Sequence, residues 1–293
     1  MLSLKKTNSN FAKIFFIVSL LVVLSTVFII NDQLANGVVS GKYFWFYGSM
    51  GLLTVAALIY FLENKIIRFS TIDGFVLFFN ISVLITALVL NDISITTDKL
   101  VIFTLLTILY FYVRVAFNGN MKHIQSVIIF FIIVTGLVEA CWGVLQLHDF
   151  LPSQHKYFIL TGSFFNPGPY AGYLAVVFPL ALSVFLEKDL IIFPKKSVLL
   201  DILKFSFKWL SGLTCISIIL VIPASMSRAS WVAAIAGSLV VITGRLRGTD
   251  LWKRVFLHSR MKGFYQTIVN GFLSLCTFRR YHPSIAFPLR RFP

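Results

Sequence analysis

Apolar residues come in long runs separated by short polar or basic stretches, and each run has about the 17 to 25 residues that carry a helix across a bilayer. The runs fall at roughly 13–31, 43–62, 72–90, 100–117, 124–147, 168–186, 206–222 and 225–243. Membrane-barrel strands would be shorter and would alternate apolar with polar positions, so the pattern predicts helices. The expected fold is therefore all-α, a polytopic transmembrane helical bundle of about eight spans, with 263–278 as the candidate for a short ninth. Residues 1–245 make the transmembrane domain and 246–293 a basic cytoplasmic tail. The first run follows Lys5, Lys6 and Lys13, exceeds the usual signal-peptide core and lacks a small-x-small cleavage site, so it is expected to stay as an anchor.

Composition agrees with the pattern. Of 293 residues, 58% are apolar and only 13% charged, too apolar for a soluble domain of this length. A net charge of +15 would suggest nucleic acid in a soluble chain. Here the basic residues sit between spans, which points to membrane orientation instead. Of 26 lysines and arginines, only Lys42, Lys99, Lys156 and Arg228 fall in the second set of alternate loops. Both termini are thus expected in the cytoplasm, with 32–42, 91–99, 148–167 and the turn at 223–227 on the outer face. Cys141, Cys215 and Cys276 lie far apart, without disulfide or metal spacing.

The chemistry concentrates in three stretches. Asn166, Pro167, Gly168 and Pro169 form a turn that breaks into an apolar helix, with proline suited to the first helical turn and free N–H groups that attract anions. Arg228, in SMSRASW, is the one outer-face arginine. It reads either as a bidentate clamp for a phosphate or pyrophosphate at a second helix start, or as a snorkelling interfacial anchor. Glu139 lies inside the fifth run, with Trp142 and Gln146 on the same helical face. It reads as a proton relay, a base or the partner of a buried arginine, or else as a neutral hydrogen bond between helices.

Tyr170 and Tyr173 would either bond a sugar or phosphate or, as the preferred reading, sit in the interfacial aromatic belt. Pro179 is expected to bend its helix. His148 and His155 are the outer-face histidines, too few and too far apart for zinc, with a general-base role as the alternative to a loop role. No nucleotide-binding loop, dinucleotide fingerprint, zinc-protease motif or nucleophile elbow is present, so no cofactor or metal is expected.

EACWGVLQ from Glu139, TGSFFNPGPYAGYLAVVFPLAL from Thr161 and SRASWVAAIAGSLVV from Ser227, in this order, resemble the O-antigen ligase and polymerase superfamily of bacterial membrane glycosyltransferases. The resemblance covers mainly 135–245. It implies a GT-C-like fold in the inner membrane and a part in lipopolysaccharide or other polysaccharide biosynthesis. It also implies glycan transfer from a polyprenyl-diphosphate carrier to a glycan, lipid or protein acceptor on the periplasmic face, without a nucleotide sugar. Arg228, after Ser227, would grip the donor diphosphate, and Gly162, Phe164, Asn166 and Pro167 match the family's turn. Members of the superfamily carry further spans and a periplasmic loop with a histidine, commonly beside asparagine, and this sequence has no such pair. The expectation is a truncated or frame-shifted member. Its rivals are a carrier or flippase for lipid-linked glycan and an inactive remnant.

Overall fold

A computed structural model describes residues 2–31, 33–34, 36–63, 70–90, 93–118, 122–186 and 198–246 of the chain. Every regular element among them is helical: α1 (Leu2–Leu24), α2 (Gly37–Glu63), α3 (Thr71–Leu90), α4 (Ile93–Asn118), α5 (Lys122–Leu147), α6 (Pro167–Leu186), α7 (Val198–Val221) and α8 (Arg228–Leu246). Short 3₁₀ turns follow α1 at Ser25–Phe28 and α7 at Pro223–Ser225. The chain divides into two compact units, Met1–Ser238 and Leu239–Pro293. The basic tail, the proposed ninth span, Cys276, His258 and His282 lie outside the described residues.

Six of these helices are long and apolar enough to cross a membrane: Phe11–Phe28, Gly37–Leu62, Lys99–Ala116, Gln125–Leu147, Pro167–Leu186 and Lys204–Ser225. This is a membrane-embedded helical protein, and lipids are its natural contacts. The apolar part of α3, Thr71–Ala87, is shorter. In α8 the apolar face is diluted by Arg228, Ser230, Gly237, Ser238, Gly244 and Arg245. Large apolar side chains such as Phe44, Phe75, Phe78 and Val176 stand exposed on the helices, a liability in water and the expected surface in lipid.

Helix packing follows chain order, with α1 on α2, α3 on α4, and α5, α6 and α7 against one another. One core gathers Phe16, Leu20, Met50, Leu53 and Tyr60 with Tyr112 beside them, and Phe16 stacks on Tyr60 at 5.3 Å between ring centroids. A second gathers Leu160, Tyr170, Leu174, Ile218, Val221, Ile222 and Ala234. With little hydrophobic force between helices in lipid, close backbone approach matters, and glycines permit it. Gly136 faces Val177 and Gly143 faces the Tyr170 ring, each with no room for a Cβ.

The α3 start carries a feature absent from the sequence reading. The Ser70 N–H donates to the Asp73 carboxylate at 2.6 Å, a capping-box contact at the helix start. The other Asp73 oxygen accepts from Tyr110 at 2.8 Å and Arg114 at 3.1 Å on α4, so one buried carboxylate caps α3 and ties it to α4. Asn80 and Thr107 bond across the same pair of helices.

Two expectations are corrected. The first apolar run stops being α-helical at Leu24 and finishes its span to Phe28 as a 3₁₀ segment, where Ser25 and Thr26 bond back to Val22 and Val23. The predicted outer loop 32–42 is shorter than expected, because α2 begins at Gly37 and takes Lys42 into the bundle.

Gly143→Ala should destabilise the protein by about 1–3 kcal/mol through overpacking against Tyr170. Gly172→Ala, with nothing within 4 Å of its Cβ, should leave thermal unfolding in detergent unchanged or slightly improved. Equal melting curves for the two variants would refute the packing account.

Candidate functional site

The site is built on the last turns of α5. Glu139 and Gln146 are both buried and project toward the segment Leu160–Phe164, which returns beside α5 before α6 begins. That segment is irregular, and its backbone groups need partners. Gln146 supplies most of them. Its carbonyl oxygen accepts from the Thr161 and Gly162 N–H groups at 3.0 and 2.7 Å, and its amide donates to the Pro152 and Gly162 carbonyls at 3.1 and 3.2 Å. Glu139 takes the next donor, Ser163 N–H, at 3.1 Å. Gly162 has φ +56°, and a Cβ there would collide with Tyr170 and lie 2.6 Å from the Glu139 carboxylate, so both conformation and space demand glycine.

Lys42 is the residue the sequence reading left in a loop. Its ammonium lies half-buried, donating to the Val27 carbonyl, to the Thr26 carbonyl at 3.5 Å and to Ser163 Oγ at 3.4 Å. It also lies 5.0 Å over the Phe164 ring. Ser163 Oγ in turn donates to Val27 at 2.6 Å. Lys42 and Glu139 lie close enough for their charges to attract, bridged by Ser163 rather than in direct contact. The cation nearest Glu139 is thus a lysine from α2, where an arginine partner was one of the readings the sequence left open.

The tyrosines are corrected as well. Tyr170 is fully buried, donates to the Glu139 carbonyl at 3.0 Å and packs against Phe164. Tyr173 shares a 2.6 Å hydrogen bond with Thr135. Both hydroxyls are engaged between helices, and Tyr170, fully covered by protein, is not a belt residue. Trp142 lies on the Glu139 face as expected, and its indole nitrogen and Glu139 Oε1 are buried without a hydrogen-bond partner among the described residues.

The Asn166 and Arg228 turns lie at one end of the helical core. Leu160, Tyr170, Val221 and Ile222 belong to the same cluster, and the 3₁₀ turn before α8 packs on α6. Pro167 opens α6 as expected, with Asn166 exposed before it. Pro167 and Pro169 have no N–H, so of the first four residues only Gly168 and Tyr170 are donors, and this helix start is a weaker anion site than a usual one. The α8 start is better equipped. Ser227 precedes it, bonded to Ser230 at 2.9 Å, and Trp231 anchors the turn by donating to the Ile222 carbonyl at 2.9 Å. Arg228 is exposed and has no hydrogen bond or ion pair among the described residues.

His155 belongs to the loop rather than to this core, ringed by Phe158 and Phe165 at 4.7 and 5.0 Å. No group of three or more metal-binding side chains exists among the described residues. Comparison with protein-family models, with curated proteins and with solved structures finds no match for the chain.

The bridged charges generate a coupling prediction. Lys42→Met alone leaves Glu139 buried without its cation and should cost about 1.5–3 kcal/mol, the range for a hydrogen bond to a charged group. In a double-mutant cycle with Glu139→Gln the losses should be less than additive by at least about 0.5 kcal/mol. Strict additivity in denaturant titrations of the purified protein would show that the two charges do not interact.

Proposed function

We propose that the protein acts on a polyprenyl-diphosphate-linked glycan at its outer end, as an O-antigen-ligase-like glycosyltransferase of a bacterial inner membrane with eight spans, GT-C-like architecture and cytoplasmic termini. The observation that carries this reading is Arg228: an exposed guanidinium at a helix start, without a protein anion, at the same end of the core as the Asn166 turn. A guanidinium fork matches paired phosphate oxygens, and the N–H groups opening α8 add donors of the same sign.

The chemistry is substitution at the anomeric carbon with inversion. An acceptor hydroxyl oxygen bonds to that carbon while the bond to the lipid diphosphate breaks. The bonding pair and its charge pass to the diphosphate, and the hydroxyl proton is released. Arg228 and the α8 donors stabilise the charge developing on the leaving group. Glu139, closed off from solvent, serves by holding Ser163 and through it the segment leading to Asn166.

Carriage of the lipid-linked glycan without covalent transfer is a second reading, favoured by the Lys42–Glu139 pair inside the bundle. Ionisable groups within spans are costly and commonly mark transport paths.

Membranes containing the lipid carrier with labelled glycan distinguish the two. Arg228→Ala should lower transfer by about 10²-fold or more, as loss of one preorganised donor at a developing anion does. Equal transfer by both proteins would remove Arg228 from the mechanism, and translocation in proteoliposomes without any covalent product would favour the carrier. Cysteines at 166 and 228 should both react with an impermeant reagent from the same side, and reaction from opposite sides would end the proposal.

A further inference from the structure

The loop between α5 and α6 encloses a cleft of about 430 Å³, within the range of small-molecule sites. Its frame is fixed locally. α5 ends in a Schellman motif, with Phe150 N–H donating to the Leu145 carbonyl at 2.9 Å and Asp149 N–H to that of Gln146 at 3.1 Å. Asp149 takes the left-handed position, φ 59°. Beyond it Ser153 bonds to the Phe158 carbonyl and accepts from His155 N–H at 3.2 Å, and Tyr157 N–H donates to His155 Nδ1 at 3.0 Å. That last bond puts the proton of a neutral His155 on Nε2.

The lining mixes polar side chains with aromatic ones, of which Phe150 and Tyr157 are the most exposed. Gln146 lies in the wall, but its four hydrogen bonds to the loop leave it little to offer a ligand. Asp149, Lys156 and the His155 Nε2–H remain, one acceptor and two donors, with the charges of Asp149 and Lys156 cancelling. An anion would meet Asp149 as well as Lys156, whereas a hydroxyl accepts from one and donates to the other. The rim residues Phe150 and Tyr157 are 74% and 79% exposed, just past the end of a span, where the bilayer interface begins. A ligand suited to this cleft has many hydroxyls, no net charge, a face that covers aromatic rings and an apolar tail that stays in the outer leaflet.

We propose that this cleft binds the sugar headgroup of a glycolipid, which enters sideways from the membrane. It is a site apart from the anion grip assigned to Arg228. In the transfer reading it is a place for glycan, and it stands by itself if that reading fails.

The test uses the full chain in lipid nanodiscs and a photoreactive octyl glucoside, with crosslinks mapped by mass spectrometry. Labelling should fall within 149–159. Excess octyl glucoside should compete, whereas octyl phosphate and tetraethylene glycol monooctyl ether should not. Asp149→Ala and Tyr157→Ala should each lower labelling at least about fivefold. Arg228→Ala should be labelled as the native protein, which separates this site from the transfer mechanism. Equal competition by all three octyl compounds would reduce the cleft to an apolar rim. Stronger competition by octyl phosphate would make it an anion site, and labelling elsewhere or unaffected variants would remove it.

Discussion

Three consecutive backbone N–H groups, of Thr161, Gly162 and Ser163, are each taken by a side chain of α5, and this end of the helical core depends on that arrangement. Irregular backbone beside a membrane-spanning helix has no water to fall back on, so each such group must be met from within. Gln146 and Glu139 meet them two turns apart on one face of α5. Once the segment is held there, Leu160 and Phe164 enter the core, Ser163 reaches Val27 and Lys42, and the chain leaves in position to start α6 at Pro167. Gly162 follows from the same arrangement, because its left-handed conformation lets successive donors turn toward one helix face.

The positions of the helices were legible because the signal is physical and simple: a run of apolar residues long enough to span, broken by charge or proline. The Glu139, Trp142 and Gln146 face was legible too, since helical spacing alone aligns those residues. What those residues face was not. GKYFWFYG places Lys42 just ahead of the densest apolar stretch, and a lysine at a span end ordinarily snorkels outward, so the pattern favours a loop. Extending α2 back to Gly37 would have put a cation inside an apolar helix and raised the question of its partner. No sequence pattern identifies those partners as the 3₁₀ turn after α1 and a serine 121 residues away.

Tyr170 and Tyr173 illustrate the same boundary. Tyrosine near a span end is enriched in the interface, and composition alone favours that reading. The outcome depended on glycines on another helix: Gly143 leaves room for the Tyr170 ring, and its hydroxyl then reaches a carbonyl inside the bundle. Asp73 differs, since its signal was present. Ser70, with a carboxylate three residues on and an apolar run following, is a helix-start pattern that marks the residue as a cap, although not the attachment to Tyr110 and Arg114.

The two cations near this end of the bundle differ in what surrounds them, and that difference decides which one the proposed anion site can use. Lys42 is already engaged: the Thr26 and Val27 carbonyls of the 3₁₀ turn after α1 and Ser163 Oγ take its donors, and Glu139 is bonded to the same serine. To bind an external anion it would have to give these up, leaving carbonyls and a carboxylate unmatched in a low-dielectric setting. Arg228 gives up only water. Its charge is unopposed among the described residues, and the helix dipole behind it has the same sign, an arrangement that disfavours the isolated protein slightly and favours it once an anion arrives. A structural cation would be expected to reduce such repulsion with a neighbouring carboxylate, and none of the acidic residues described here is placed to do so. Lys42 therefore organises the end of the bundle, and Arg228 is the exposed, unpaired cation among the described residues on which the proposed anion grip rests.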